Sequence, residues 1–143
     1  MGSICLSVEF EFSASHRLFQ PALSDPENMA LYGKCSNPNG HGHNYRLVVR
    51  VSGNINKKTG MVLDAKKLKD LVTETILDDV DHKDLNRDVA WLRGVVPSTE
   101  VVADAMFERL AHVVALAHPE VVLDSITLHE TRRISVTVSR GNT

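Results

Sequence analysis

The stretch Cys35-Ser36-Asn37-Pro38-Asn39-Gly40-His41-Gly42-His43-Asn44-Tyr45 decides how this chain is read. A Pro/Gly/Asn loop runs here into an apolar alternation that continues through Arg46-Leu47-Val48-Val49-Arg50-Val51. Every second residue of a strand points to the same face. One face therefore collects His41, His43, Tyr45, Leu47, Val49 and Val51, and the other Asn44, Arg46 and Arg50. The two histidines extend the apolar face and can grip one ion together.

A third ligand is offered upstream. Val8-Glu9-Phe10-Glu11-Phe12-Ser13-Ala14-Ser15-His16 alternates in the same way, and His16 ends the face formed by Val8, Phe10, Phe12 and Ala14. Taken alone, His16 reads as a core histidine satisfied by a backbone partner. Successive strands commonly pair, and if these two do, three imidazoles converge. Three histidines suit a catalytic zinc with an open position, whereas structural sites are closed by four ligands, mostly cysteines. Cys35 then has two readings: a reactive thiol beside the metal, or a fourth ligand that closes the site.

Composition bounds the function. The chain has 143 residues, 43% hydrophobic and 24% charged, which suits one domain, residues 1–143, with a real core. A net charge of -2 gives no reason to expect non-specific binding to nucleic acid or membranes. No apolar run approaches the length of a bilayer span, and the first residues lack the pattern of a signal peptide. Two cysteines, Cys5 and Cys35, make no disulfide framework. A reduced cytoplasmic setting is expected.

The remaining segments follow from local chemistry. Leu18 to Lys34 is a long connection with a turn of helix around Glu27 to Leu31. A short strand Met61-Val62-Leu63 is expected, then a helix over 65–79 capped by Asp64. Asp81 and His82 fall in a polar loop, either as a frayed helix end or as a proton relay. Trp91 is a packing anchor. Pro97-Ser98-Thr99-Glu100 opens a second helix, which stops at Pro119 and carries His112 and His118 at its surface and end. The last strand runs from Val121 to Thr131 and resumes after a break at Ile134 to Val138. Glu130 shares the apolar parity of Ile126 and Leu128, so it needs a cation or a ligand with N–H donors. The element order indicates an α+β sandwich, its sheet of about four strands leaving open edges that invite oligomerisation.

An open zinc polarises hydroxyl or carbonyl oxygens, and a cysteine thiolate accepts protons. This set suits proton abstraction beside a polarised oxygen, followed by elimination or tautomerisation. It suits acyl transfer poorly, since no nucleophile elbow is present.

Several segments together resemble one family: Phe12 to Leu18, Gly33 to Tyr45, Asp81-His82-Lys83 with Leu85, Ser98-Thr99-Glu100, and Glu130-Thr131. They resemble the 6-pyruvoyltetrahydropterin synthase family, in order along nearly the whole chain. The resemblance implies the tunnelling fold: a four-stranded antiparallel sheet, two helices on one face, and subunits assembling into a β-barrel. A homohexamer made of two trimers is implied. So is conversion of 7,8-dihydroneopterin triphosphate to 6-pyruvoyl-tetrahydropterin with loss of triphosphate, on the route to tetrahydrobiopterin. His16, His41 and His43 are implied as zinc ligands and Cys35 as the proton acceptor. Asp81 and His82 are implied as its relay, supplied by a neighbouring subunit. Glu130 would anchor the pterin, with Thr99 and Glu100 nearby. Magnesium is implied with the triphosphate. Two alternatives stand beside this: a 6-carboxytetrahydropterin synthase of deazaguanine biosynthesis, and a non-catalytic zinc- or pterin-binding module. Arg132-Arg133 is more basic than is usual in such relatives, and Gly141-Asn142-Thr143 reads as a frayed end.

Overall fold

Val8, Phe12 and Ala14 are buried for the same reason as Leu47, Val49 and Val51: each set occupies alternate positions of a strand whose one face meets a helical layer. A computed structural model describes residues 4–140. The expected fray at Gly141-Asn142-Thr143 lies outside the described residues. Strand β1 (Ile4–His16) and strand β2 (His41–Gly53) pair antiparallel along their full lengths. The register sets Phe12 opposite Tyr45, Ala14 opposite His43 and His16 opposite His41. A shift of one strand by one residue would put His16 on the opposite face from His41 and His43 and break up the set.

Between these strands the chain forms helix α1 (Asp25–Tyr32) and a 3₁₀ turn, Gly33–Ser36. The helix is longer than the expected turn because Ser24 and Glu27 form a reciprocal capping box and Pro26 suits the first turn. After β2 come α2 (Ala65–Val72), a π-helical turn (Thr73–Leu77) and α3 (Asp78–Val80), which together fill the interval expected for one helix. Strand β3 (Lys83–Asp84), helix α4 (Thr99–Ala117), strand β4 (Val121–His129) and strand β5 (Ser135–Ser139) complete the chain.

The sheet corrects two expectations. It has five strands in the order β3-β1-β2-β4-β5, not four. It is also mixed, because β3 runs parallel to β1 at Ala14 and Ser15 while the other pairings are antiparallel. Two residues are too few to show any alternation, so β3 left no trace in the hydrophobic pattern. It is held by His82 N–H donating to Ser13 O (2.6 Å) and Leu85 N–H to Ser15 O (2.8 Å). The expected strand at Met61-Val62-Leu63 is absent. Asn56 N–H donates to Met61 O (2.9 Å) and Gly60 N–H to Asn56 O (2.7 Å), so this backbone closes on its own turn instead of a neighbouring strand.

The α+β layering holds, with both long helical segments on one face. Leu68, Val72 and Ile76 share one buried core with Val102, Met106, Leu110 and Val114 and with the sheet residues Val49, Val51, Ile126 and Leu128. Each fully buried Leu or Ile contributes about 2 kcal/mol. The opposite face of the sheet is polar: Ser13 bonds Asn44 (2.8 Å), Arg46 pairs with Glu9 (3.7 Å), and Thr127 bonds Thr137 (2.8 Å). No helix among the described residues is long and apolar enough to cross a membrane.

Candidate metal centre

His16 ends β1 where the sheet meets the start of α4. Its Nδ1 lies 2.8 Å from the carbonyl oxygen of Pro97, the residue before the α4 cap Ser98. A carbonyl only accepts, so Nδ1 carries the proton and donates, and Nε2 offers a bare lone pair. That Nε2 lies 3.1 Å from Nε2 of His41, directly across the register. One ligand atom from each of His16, His41 and His43 lies within 4.8 Å of the others. Cys35 is not a member of this group, so the thiol lies outside the ligand cluster that a four-ligand closure would require.

The histidines fit a cation. His43 Nε2 is buried and has no hydrogen-bond partner. An orphaned polar atom costs about 1–3 kcal/mol. A zinc held by the three imidazoles would take up that nitrogen's lone pair and remove the cost. Burial, its largest cause, lowers the pKa of His16, and adjacent His41 and His43 push the same way against the raising effect of the Pro97 bond. Burial likewise lowers His43, opposed by Glu130. Both shifts favour the neutral imidazole that binds metal.

Glu130 completes the surroundings. Its Oε1 is 3.5 Å from Nε2 of both His16 and His43, and it makes no hydrogen bond to His43. Beneath the histidines Tyr45 stacks on Phe12 at 4.9 Å and is almost fully buried. Burial raises its phenol pKa, and Glu130 adds to the effect.

The other expected residues are placed as follows. Cys35 is half-buried in the 3₁₀ turn, and its carbonyl accepts from Leu18 N–H at 2.8 Å, two residues beyond His16. Asp81 and His82 are paired, Oδ1 to Nδ1, at 2.9 Å. Asp81 Oδ1 also accepts from Ser13 N–H (3.0 Å), and His82 holds a left-handed φ of 60°. The His82 side chain is largely exposed at the sheet edge. Among the described residues no hydrogen bond joins this pair to Cys35. Thr99 is buried at the start of α4 and Glu100 is exposed, and neither is bonded to the histidines.

The chain as a whole, with its three-histidine cluster, is similar to known proteins. Residues 5–141 match the family model described as 6-pyruvoyl tetrahydropterin synthase. The chain belongs to the 6-pyruvoyl tetrahydropterin synthase family. It is 46% identical over 126 residues to the human 6-pyruvoyl tetrahydrobiopterin synthase, covering 88% of this chain and 84% of the relative. The orangutan protein of that name, from Pongo abelii, is 48% identical over the same shares. The solved structure of Caenorhabditis elegans 6-pyruvoyl tetrahydropterin synthase superposes with a TM-score of 0.89 at 40% identity, covering 99% of this chain and 98% of that one. In this member of the synthase family the three-His cluster is consistent with a catalytic zinc site.

Sequence reasoning missed the groups that support the site. The Pro97 carbonyl is a backbone atom, and no residue type announces it. Asn86 clasps the residue after His16: its Oδ1 accepts from Arg17 N–H (2.7 Å) and its Nδ2 donates to Arg17 O (2.8 Å). An asparagine in a polar loop carried no signal beyond turn formation.

Proposed function

We propose that this chain is a zinc-dependent lyase that converts 7,8-dihydroneopterin triphosphate to 6-pyruvoyl-tetrahydropterin, eliminating triphosphate, in tetrahydrobiopterin biosynthesis. The observation that carries this is the cluster of His16, His41 and His43, with a buried, unpartnered His43 nitrogen, in a chain of this synthase family. His16, His41 and His43 would hold the zinc. Zinc, when bound, supplies a Lewis acid that polarises substrate oxygens and acidifies the adjoining C–H bonds.

The protein's own groups do the rest. Cys35 takes the proton from carbon. Asp81 orients His82 through its Oδ1–Nδ1 contact, and the pair relays the proton. Since His82 stands exposed at the β3 edge and is not bonded to Cys35 in its own chain, the relay is assigned to a neighbouring subunit. The open edges at β3 and β5 support assembly of the single domain into a homohexamer of two trimers around a β-barrel. Glu130 faces the cluster and would accept N–H bonds from the pterin, with Thr99 and Glu100 nearby. Magnesium would accompany the triphosphate, and the enzyme would work in the cytoplasm.

The test is triphosphate release from dihydroneopterin triphosphate, with and without a chelator. Release that the chelator abolishes is expected, and no release under either condition overturns the reading. Cys35→Ala should keep its zinc while turnover falls by about 10²-fold or more. Acetaldehyde among the products would exclude the pyruvoyl product.

A further inference from the structure

We propose that the groove between Arg17 and Arg87 is the seat of the substrate's triphosphate, an inference that rests on the lyase reading. The groove has a volume of about 290 Å³ and is walled by Arg17, Phe19, Asn39, Gly40, Asp84 and Arg87. Its position follows from the metal centre. Arg17 is the residue after His16, and Gly40 is the residue before His41. A phosphate chain on the side chain whose hydroxyls meet the metal must leave the cluster nearby, and this groove begins one residue beyond two of the ligands.

Arg17 is built for an anion. Its Nε donates to Ser36 O at 2.7 Å, and its guanidinium carbon sits 3.9 Å over the Phe19 ring. These contacts fix the plane of the group and leave its terminal nitrogens without a hydrogen-bond partner among the described residues. Asn86 holds the backbone of the same residue from both sides. A guanidinium held in one orientation binds phosphate bidentately with little further loss of freedom. Arg87 is exposed, and no ion pair occupies it among the described residues. The single carboxylate in the groove, Asp84, accepts from Asn86 N–H at 2.8 Å, so two guanidinium groups stand against one carboxylate that is already engaged.

The other basic cavity near the centre is a poorer candidate. It holds Arg46 and Arg132 together with Glu11. Arg46 is already paired with Glu9 at 3.7 Å and bonded to His129 at 3.2 Å.

The experiment is titration of the zinc-loaded assembly with inorganic tripolyphosphate by calorimetry, for the wild type and for Arg17→Gln, Arg87→Gln and Arg132→Gln. Charge-assisted bonds to phosphate correspond to losses of about tenfold or more. Binding by the wild type that weakens about tenfold in Arg17→Gln and Arg87→Gln, and little in Arg132→Gln, is the expected result. Arg87 is on the surface, so its variant keeps the test decisive if Arg17→Gln folds poorly. Wild type that does not bind tripolyphosphate, unchanged affinity in Arg87→Gln, or a loss confined to Arg132→Gln overturns the proposal. With the true substrate, kcat/KM should fall about tenfold or more in Arg87→Gln and little in Arg132→Gln. Because tripolyphosphate binding requires no turnover, a misplaced phosphate seat is distinguishable from a wrong reaction.

Discussion

His16 Nδ1 and the carbonyl oxygen of Pro97 lie 2.8 Å apart although 81 positions separate the two residues. The bond joins the end of a strand to the start of α4 and fixes which nitrogen of His16 faces His41 and His43. The tautomer of a metal ligand is thereby set by the helical layer, not by the strand that carries it.

Acid should loosen the metal-free protein in a defined window. Burial holds His16 and His43 below the ordinary histidine value of 6.5. Between the folded and unfolded values the unfolded chain binds more protons, so stability rises with pH there. The contribution is complete above about pH 6.5 and is lost as pH falls through the lowered folded values. Chelator-treated protein should keep a constant Tm from about pH 8 to 7, and its Tm should fall as pH drops below about 6.5. Glu27 is also lowered, by its bonds to Ser24, but acts below its ordinary 4.5 and does not overlap that window. A Tm that stays level as pH falls below about 6.5 would contradict the buried, neutral histidines.

His16→Ala and His41→Ala should both lose zinc yet differ in stability. His16 is 1% exposed, and its removal strands the Pro97 carbonyl and opens a void, costing about 2–3 kcal/mol. His41 is half-buried, and its loss should cost the metal-free protein less than about 1 kcal/mol. Urea denaturation of the two chelated variants checks this, and equal midpoints would count against the Pro97 bond.

Gly40→Ala should damage the centre without touching a ligand. Gly40 has φ +70°, and a Cβ there would stand 3.0 Å from the His16 carbonyl oxygen. The left-handed backbone alone costs a non-glycine residue about 1–2 kcal/mol. The turn must then move away from His16 and carry His41 with it. Both the urea midpoint and the zinc affinity, measured by competition with a coloured chelator, should fall. Wild-type zinc affinity in this variant would mean the close approach is irrelevant to the site.

Asn86→Ala should detach the segment after β1 from the β3 loop. Two bonds to the Arg17 backbone disappear, at a cost of about 1–3 kcal/mol. Amide exchange at Arg17 should accelerate while that of Val49, in the sheet centre, keeps pace only with global unfolding. Unchanged protection at Arg17 would refute the clasp.

The sequence by itself determined the α+β class, the faces of β1 and β2, the two long helical segments and the three histidines. Each of these rests on periodicity repeated over many residues, as in Tyr45, Leu47, Val49 and Val51, or on a distinctive residue pair such as His41 and His43. Tertiary structure alone decided the fifth strand, the parallel pairing of Lys83–Asp84 with β1, and the turn that replaced the strand expected at Met61 to Leu63. Those outcomes depend on where a neighbouring backbone offers free N–H and C=O groups, which no local pattern encodes. The same holds at the site. His16 could be named from its parity, but its proton is placed by the Pro97 carbonyl, and Arg17 is aimed by Ser36, Phe19 and Asn86. Contacts between segments distant in sequence set these orientations, and they exist only once the sheet and helices have packed.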